Sequence, residues 1–141
     1  MCMNTVTAIY DPPLDSLDLT SKARFGYKVF IQTEPGFFSS VYINGHLRYT
    51  ADQWMQAEEG IILADDGIEY PSGFHVFRTR RSAETYLAAL QKERAVIRRV
   101  EMRQIVASGT DGASCKKRSK VLIAGQMQIC VGDGPRRFVE R

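Results

Sequence analysis

Ala95-Val96-Ile97-Arg98-Arg99-Val100-Glu101-Met102-Arg103-Gln104-Ile105-Val106-Ala107 decides the fold class. β-branched residues crowd this stretch, and Val100, Met102 and Val106 fall in one two-residue phase while Arg99, Glu101 and Arg103 fall in the other. Such alternation predicts a strand with one buried and one wet face. Residues 120–131 repeat it, with Val121, Ile123, Met127 and Ile129 in phase. The two stretches are expected to pair as a long C-terminal antiparallel β-hairpin, with residues 108–119 as its loop and Cys115-Lys116-Lys117-Arg118 near its tip.

Upstream of the hairpin, Ala83, Tyr86, Leu87 and Leu90 recur at helical spacing behind Ser82, which can cap a helix, so one main helix is expected to pack on the sheet. Residues 73–78, introduced by Pro71-Ser72-Gly73, read as a short strand, as do residues 61–64 before the turn Asp65-Asp66-Gly67. Thr50 and Gln53 have the spacing of a capping box, predicting a short helix through Trp54 and Met55 that Gly60 ends. Residues 26–33 alternate as a strand, and Glu34-Pro35-Gly36 suits a type II turn. Residues 37–43 are expected to form an aromatic, β-branched strand ended by Asn44-Gly45, a hairpin dipeptide, with residues 46–49 returning as a third strand. The expected architecture is α+β: an antiparallel β-meander, one main helix and the long hairpin. Residues 1–25, with Pro12-Pro13 and scattered aspartates, read as an irregular N-terminal arm, and residues 26–141 as a single domain.

The composition sets outer limits. At 141 residues with 44% hydrophobic content, the chain can close a core without disulfide or metal staples. Its apolar runs are strand-sized, so no membrane partner is expected, and Met1 to Val6 lacks the pattern of a secretory signal. Cys2, Cys115 and Cys130 are odd in number and far apart, which fits a reducing compartment, and a cytoplasmic location follows as the expectation. Charge divides along the chain. Residues 1–70 hold four bases against ten acids, net −6, while residues 71–141 hold fifteen bases against six acids, net +9. A basic half of this kind can steer nucleic acid or an acidic protein surface.

Candidate chemistry is sparse. His46 and His75 stand in no metal-ligand spacing and the cysteines are isolated, so neither a metal site nor a cofactor is expected. Cys115, before three bases, could favour its thiolate, although no histidine or acid is placed to complete a dyad. His75 is the best single ligand or acid/base candidate, and Arg78 and Arg81 beside the helix start could complete an anion pocket with it. The competing reading is a buried histidine bonded to backbone, with solvated arginines nearby. The aromatics Phe25, Tyr27, Phe30, Phe37, Phe38 and Tyr42 resemble a base-stacking platform, but their alternation and the scarcity of neighbouring bases favour core packing. Arg99 and Arg103 on one strand face, with Lys116, Lys117, Arg118 and Lys120 at the hairpin tip, form the candidate partner-binding surface.

Gly73-Phe74-His75-Val76-Phe77, the helix containing Ala83 and Tyr86, and the strands at residues 96–106 and 121–129 resemble a pattern in small proteins of bacteriophages and other mobile elements. The resemblance implies a phage-like setting, such as that of a host-defence inhibitor, and supplies no catalytic residues. The leading expectation is a non-enzymatic interaction protein whose basic half engages nucleic acid or an acidic host protein or ribonucleoprotein surface. The alternative is a nucleotide-binding protein or small enzyme acting on a phosphorylated substrate at His75, Arg78 and Arg81. A third reading is a homo-oligomer assembled through strand edges.

Overall fold

The structure, a computed structural model, describes residues 3–14, 24–35, 37–39, 48–90, 93–111 and 119–130. These residues form a mostly antiparallel β-structure with one short helix. In chain order the elements are β1 (Thr5–Ile9), β2 (Arg24–Glu34), β3 (Phe37–Ser39), β4 (Arg48–Thr50), β5 (Met55–Gln56), β6 (Ile61–Leu63) and β7 (Glu69–Pro71). They continue as β8 (Phe74–Phe77), α1 (Arg80–Leu90), β9 (Ala95–Asp111) and β10 (Ser119–Ile129).

β9 organises the sheet. It pairs with β10 from Ser119 opposite Asp111 to Ile129 opposite Val100. Its other edge takes β2, from Arg24 opposite Met102 to Ile31 opposite Ala95, and then β1, from Thr5 opposite Thr110 to Ile9 opposite Ala107. β8 lies along β10 and meets β2 again at Tyr27 opposite Phe77, so β2, β9, β10 and β8 form a closed circuit. β2, β3 and β4 follow one another as the expected meander. β6 and β7 make a separate two-stranded sheet.

A curved sheet that nearly closes has two faces to cover, and each carries its own apolar cluster. Phe30, Phe38, Tyr49, Val76, Val100, Met102 and Met127 pack on one. Val29, Phe77, Tyr70, Ala107, Val121 and Ile123 pack on the other, where Ala83, Tyr86, Leu87 and Leu90 of α1 join them. The Tyr86 and Phe77 rings lie 5.3 Å apart. The helix starts earlier than Ser82 predicts, because Thr79 is the cap: its Oγ1 accepts the Ser82 N–H at 3.1 Å.

Two strand phases break where the sequence reads them as continuous. Gln104 takes φ +57°, and the β9–β10 register shifts between Ile123 and Ala124. A bulge moves later side chains to the other face. On β9, Val100, Met102 and Ile105 therefore pack in one cluster and Ala107, past the extra residue Val106, in the other, with Val106 half-buried. Val121 and Ile123 face one cluster, and Met127 and Ile129, of the same parity, face the other.

The helix expected around Trp54 is absent from the structure. Asp52 has φ +65°, and the Asp52 and Ala57 N–H groups donate to Ile129 and Gly125 carbonyls, tying this stretch to β10 as β5. Thr5–Ile9, inside the segment read as irregular, is a strand because β9 runs on to Asp111 and offers it an edge. The Asn44-Gly45 turn and the hairpin tip at residues 112–118 lie outside the described residues.

Beyond Tyr27, β2 and β8 separate, and Lys28 fills the opening by donating from Nζ to the His75 carbonyl at 2.8 Å. Burial lowers the Lys28 ammonium from 10.5 to about 8. Between those values the unfolded chain holds more protons than the folded one, so stability is expected to climb as pH rises from 8 to 10.5. Chemical unfolding across that range should show the rise, and Lys28→Met should flatten it.

Candidate functional site

Beyond the reach of α1, the outer sheet face continues over β2, β9, β10 and β5. Arg99, Glu101 and Arg103 share this face because they occupy alternate positions of β9 before the positive-φ Gln104. Their cross-strand neighbours set the rest. Tyr27 lies opposite Arg99 and Phe25 opposite Glu101 on β2, while Gln128 lies opposite Glu101 and Gln126 opposite Arg103 on β10. Gln126 in turn faces Gln56 of β5.

Two guanidinium groups lie over aromatic rings here. Arg99 Cζ is 3.9 Å from the Phe25 ring centroid, and Arg103 Cζ, reaching across β10, is 3.8 Å from that of Trp54. At this distance the cation meets the negative face of the ring, and each ring holds its guanidinium in a fixed plane. Between them runs a polar row: Gln128 donates to Glu101 at 2.7 Å, and Gln126 donates to Gln56 at 2.8 Å. A third, looser pair, Arg80 at 5.9 Å from the Tyr27 ring, sits where α1 begins. Phe25 is 42% exposed and Arg103 is exposed, while Arg99 and Trp54 are half-buried and Tyr27 packs against the cluster beneath α1. Arg103 is four positions after Arg99, so their Cα atoms stand about 13 Å apart, and the two stacks lie on opposite sides of β9.

Alternation along β9 brings Arg99 and Arg103 to one face but carries no mark of their aromatic partners. Among the aromatics whose alternation favours core packing, Phe30 and Phe38 are buried, and Phe25 alone among the described members is exposed. Trp54 was hidden by its helical assignment. Its signal is the polar surround, Asp52, Gln53 and Gln56, in which a buried tryptophan is out of place.

His75 is 7% exposed and bonds inward. Tyr70 Oη accepts the Met3 N–H at 3.1 Å and shares a hydrogen bond with His75 Nε2 at 3.0 Å. Burial first, and the Lys28 charge second, push His75 from 6.5 down to about 3, so it is neutral at physiological pH. The Gly73 backbone adds a hydrogen bond to the imidazole that works against the downward shift. The structure does not bring His75 to the surface with Arg78 and Arg81, which are both exposed. Arg78 instead neighbours exposed Lys120, whose carbonyl accepts its backbone N–H. Lys116, Lys117, Arg118 and Cys115 lie outside the described residues.

Among the described residues no group of three His, Cys, Asp or Glu is placed to hold a metal ion, and no helix is long and apolar enough to cross a membrane. The chain matches no protein-family model, no curated protein and no solved structure.

Proposed function

We propose that this protein is a non-enzymatic nucleic-acid-binding protein that takes single-stranded RNA or DNA on the open face of β9, β10, β2 and β5. The observation that carries the reading is the stacking of Arg99 on Phe25 and Arg103 on Trp54 on one face of the sheet. Bases stack on aromatic rings and on guanidinium planes, and unpaired base edges hydrogen-bond to amides of the kind Gln126, Gln128 and Gln56 present. The net +9 of residues 71–141, including exposed Arg78 and Lys120, supplies the long-range attraction for phosphates. The mechanism is occupancy: no bond is made or broken, and a bound strand is withheld from other proteins.

The chain's one tryptophan lies in this surface, so it reports on the site directly. Adding a short single-stranded oligonucleotide is expected to quench Trp54 fluorescence saturably, with affinity falling as salt rises. Arg99→Glu with Arg103→Glu should weaken binding roughly 100-fold, given about 1–3 kcal/mol per stacked base, and should flatten the salt dependence. No quenching at low salt, or unchanged affinity in the double variant, would overturn the assignment. Binding of duplex as tightly as single strands would exclude base stacking as its basis.

A further inference from the structure

On the β6–β7 hairpin, well apart in sequence from the basic strands, Ile61 is 66% exposed, Leu63 59% and Ile68 44%. Their neighbour Ile62 points inward to the cluster beneath α1, so the hairpin is anchored by one face and turns an apolar face outward. The ladder phase is fixed at both ends. Ser72 N–H donates to Gly60 O, and Ala64 N–H donates to Ile68 O. Ile62 and Tyr70, midway between those pairs, therefore exchange the inner hydrogen bonds, and the N–H and C=O groups of Ile61 and Leu63 point away from β7. No other strand pairs with Ile61 and Leu63 on that edge among the described residues, although the next outward N–H, that of Asp65, goes to the Met3 carbonyl.

An open strand edge beside exposed apolar side chains is a template for strand addition. The charge around it selects the added strand. Residues 49–77 contain no lysine or arginine, and Glu58, Glu59 and Glu69 are exposed at the hairpin's ends and face. Asp65 and Asp66 at its turn already hold Asn4 and Val6. A second copy pairing edge to edge would bring two acidic rims together, and like charges directly opposed are destabilising. A second copy offering its basic face instead would make a head-to-tail contact that does not close.

We propose that the free edge of β6 is a docking site for an extended segment of a different protein, one that alternates apolar residues with lysine or arginine. Paired to β6, its apolar residues lie beside Ile61 and Leu63, and the negative charge that Glu58, Glu59 and Glu69 spread around the hairpin attracts its cations. Main-chain bonds supply affinity and the acidic rim supplies selection.

The test uses the full chain and a short labelled peptide alternating lysine and valine, followed by fluorescence anisotropy. Saturable binding is expected, at least about tenfold tighter than for the counterpart with glutamate in place of lysine. Leu63→Pro removes an outward N–H without touching the bonds to β7, and should weaken binding about tenfold or more. Ile61→Lys with Leu63→Lys changes exposed side chains only, and should do the same with an unchanged melting temperature. Arg99→Glu with Arg103→Glu should leave peptide binding intact, which keeps this site separable from the nucleic-acid face. The proposal is overturned by equal binding of the lysine and glutamate peptides, or by binding that survives both β6 variants. It is also overturned by peptide binding that requires removal of residues 131–141, which assigns the edge to the chain's own basic tail. A dimer in light scattering that Leu63→Pro abolishes assigns it to a second copy, with the same consequence.

Discussion

Lowering the pH from 6.5 to about 3 is expected to cost the fold roughly 4 kcal/mol through His75 alone. The sign follows from which state holds the proton. In the unfolded chain His75 titrates at its ordinary 6.5, whereas in the fold it resists protonation until about 3. Within that window the unfolded state binds more protons, so stability is complete above 6.5 and is lost progressively as the pH falls. Burial is the main cause, and the Lys28 ammonium, bonded to the His75 carbonyl, adds repulsion. Urea unfolding at neutral pH and at intervals down to pH 4 checks this against His75→Phe, which keeps the ring's shape without its titration. Carboxylates titrate in the same range, so the informative quantity is the difference between the two slopes. The wild type should lose more stability than the variant at each step below pH 6.5. Equal slopes would mean that His75 protonates freely in the fold. Lys28→Met removes the second cause, and should shift the His75 titration toward its ordinary value and shrink the acid loss.

The strands of this fold are legible where their pattern is local. Val100 and Met102 against Arg99 and Arg103 reveal β9 because each buried residue is two positions from the next. The same rule fails past Gln104, since a positive φ in a residue other than glycine leaves no mark in hydropathy. Trp54 shows a second kind of failure. Thr50 and Gln53 have the correct spacing for a cap, but what fixes this stretch is the pair of carbonyls at Ile129 and Gly125, supplied by a strand far along the chain. Tertiary bonding overrides a weak local preference. The candidate site divides in the same way: alternation puts Arg99 and Arg103 side by side, whereas Phe25 and Trp54 reach them only through the pairing of β2 and β5 with the hairpin.

Gly109→Ala should be the most damaging single methyl group that can be added to β9. A Cβ built at Gly109 stands 2.0 Å from the Thr5 carbonyl oxygen and 2.6 Å from Met3 Sδ. The sulfur ends a flexible side chain and can yield. The carbonyl belongs to β1, which is held to β9 by its ladder and by the Asn4 N–H to Thr110 O bond, so it can retreat only if β1 leaves. Overpacking of this kind costs about 3 kcal/mol, and here the loss falls on one segment. When β1 lifts, Met3, fully buried in the native fold, comes out of the cluster and its N–H leaves Tyr70 Oη. Amide exchange should therefore accelerate across residues 3–9 far more than at Val121 and Ile123, which β8 and β9 hold from both sides. The same variant bears on His75, because Met3 and Tyr70 are part of what keeps the imidazole dry. With β1 displaced, the burial that depresses the His75 titration weakens, so Gly109→Ala should lower stability at neutral pH yet lose less of what remains on acidification. A variant destabilised at neutral pH with an acid slope equal to that of the wild type would show that β1 does not shield His75.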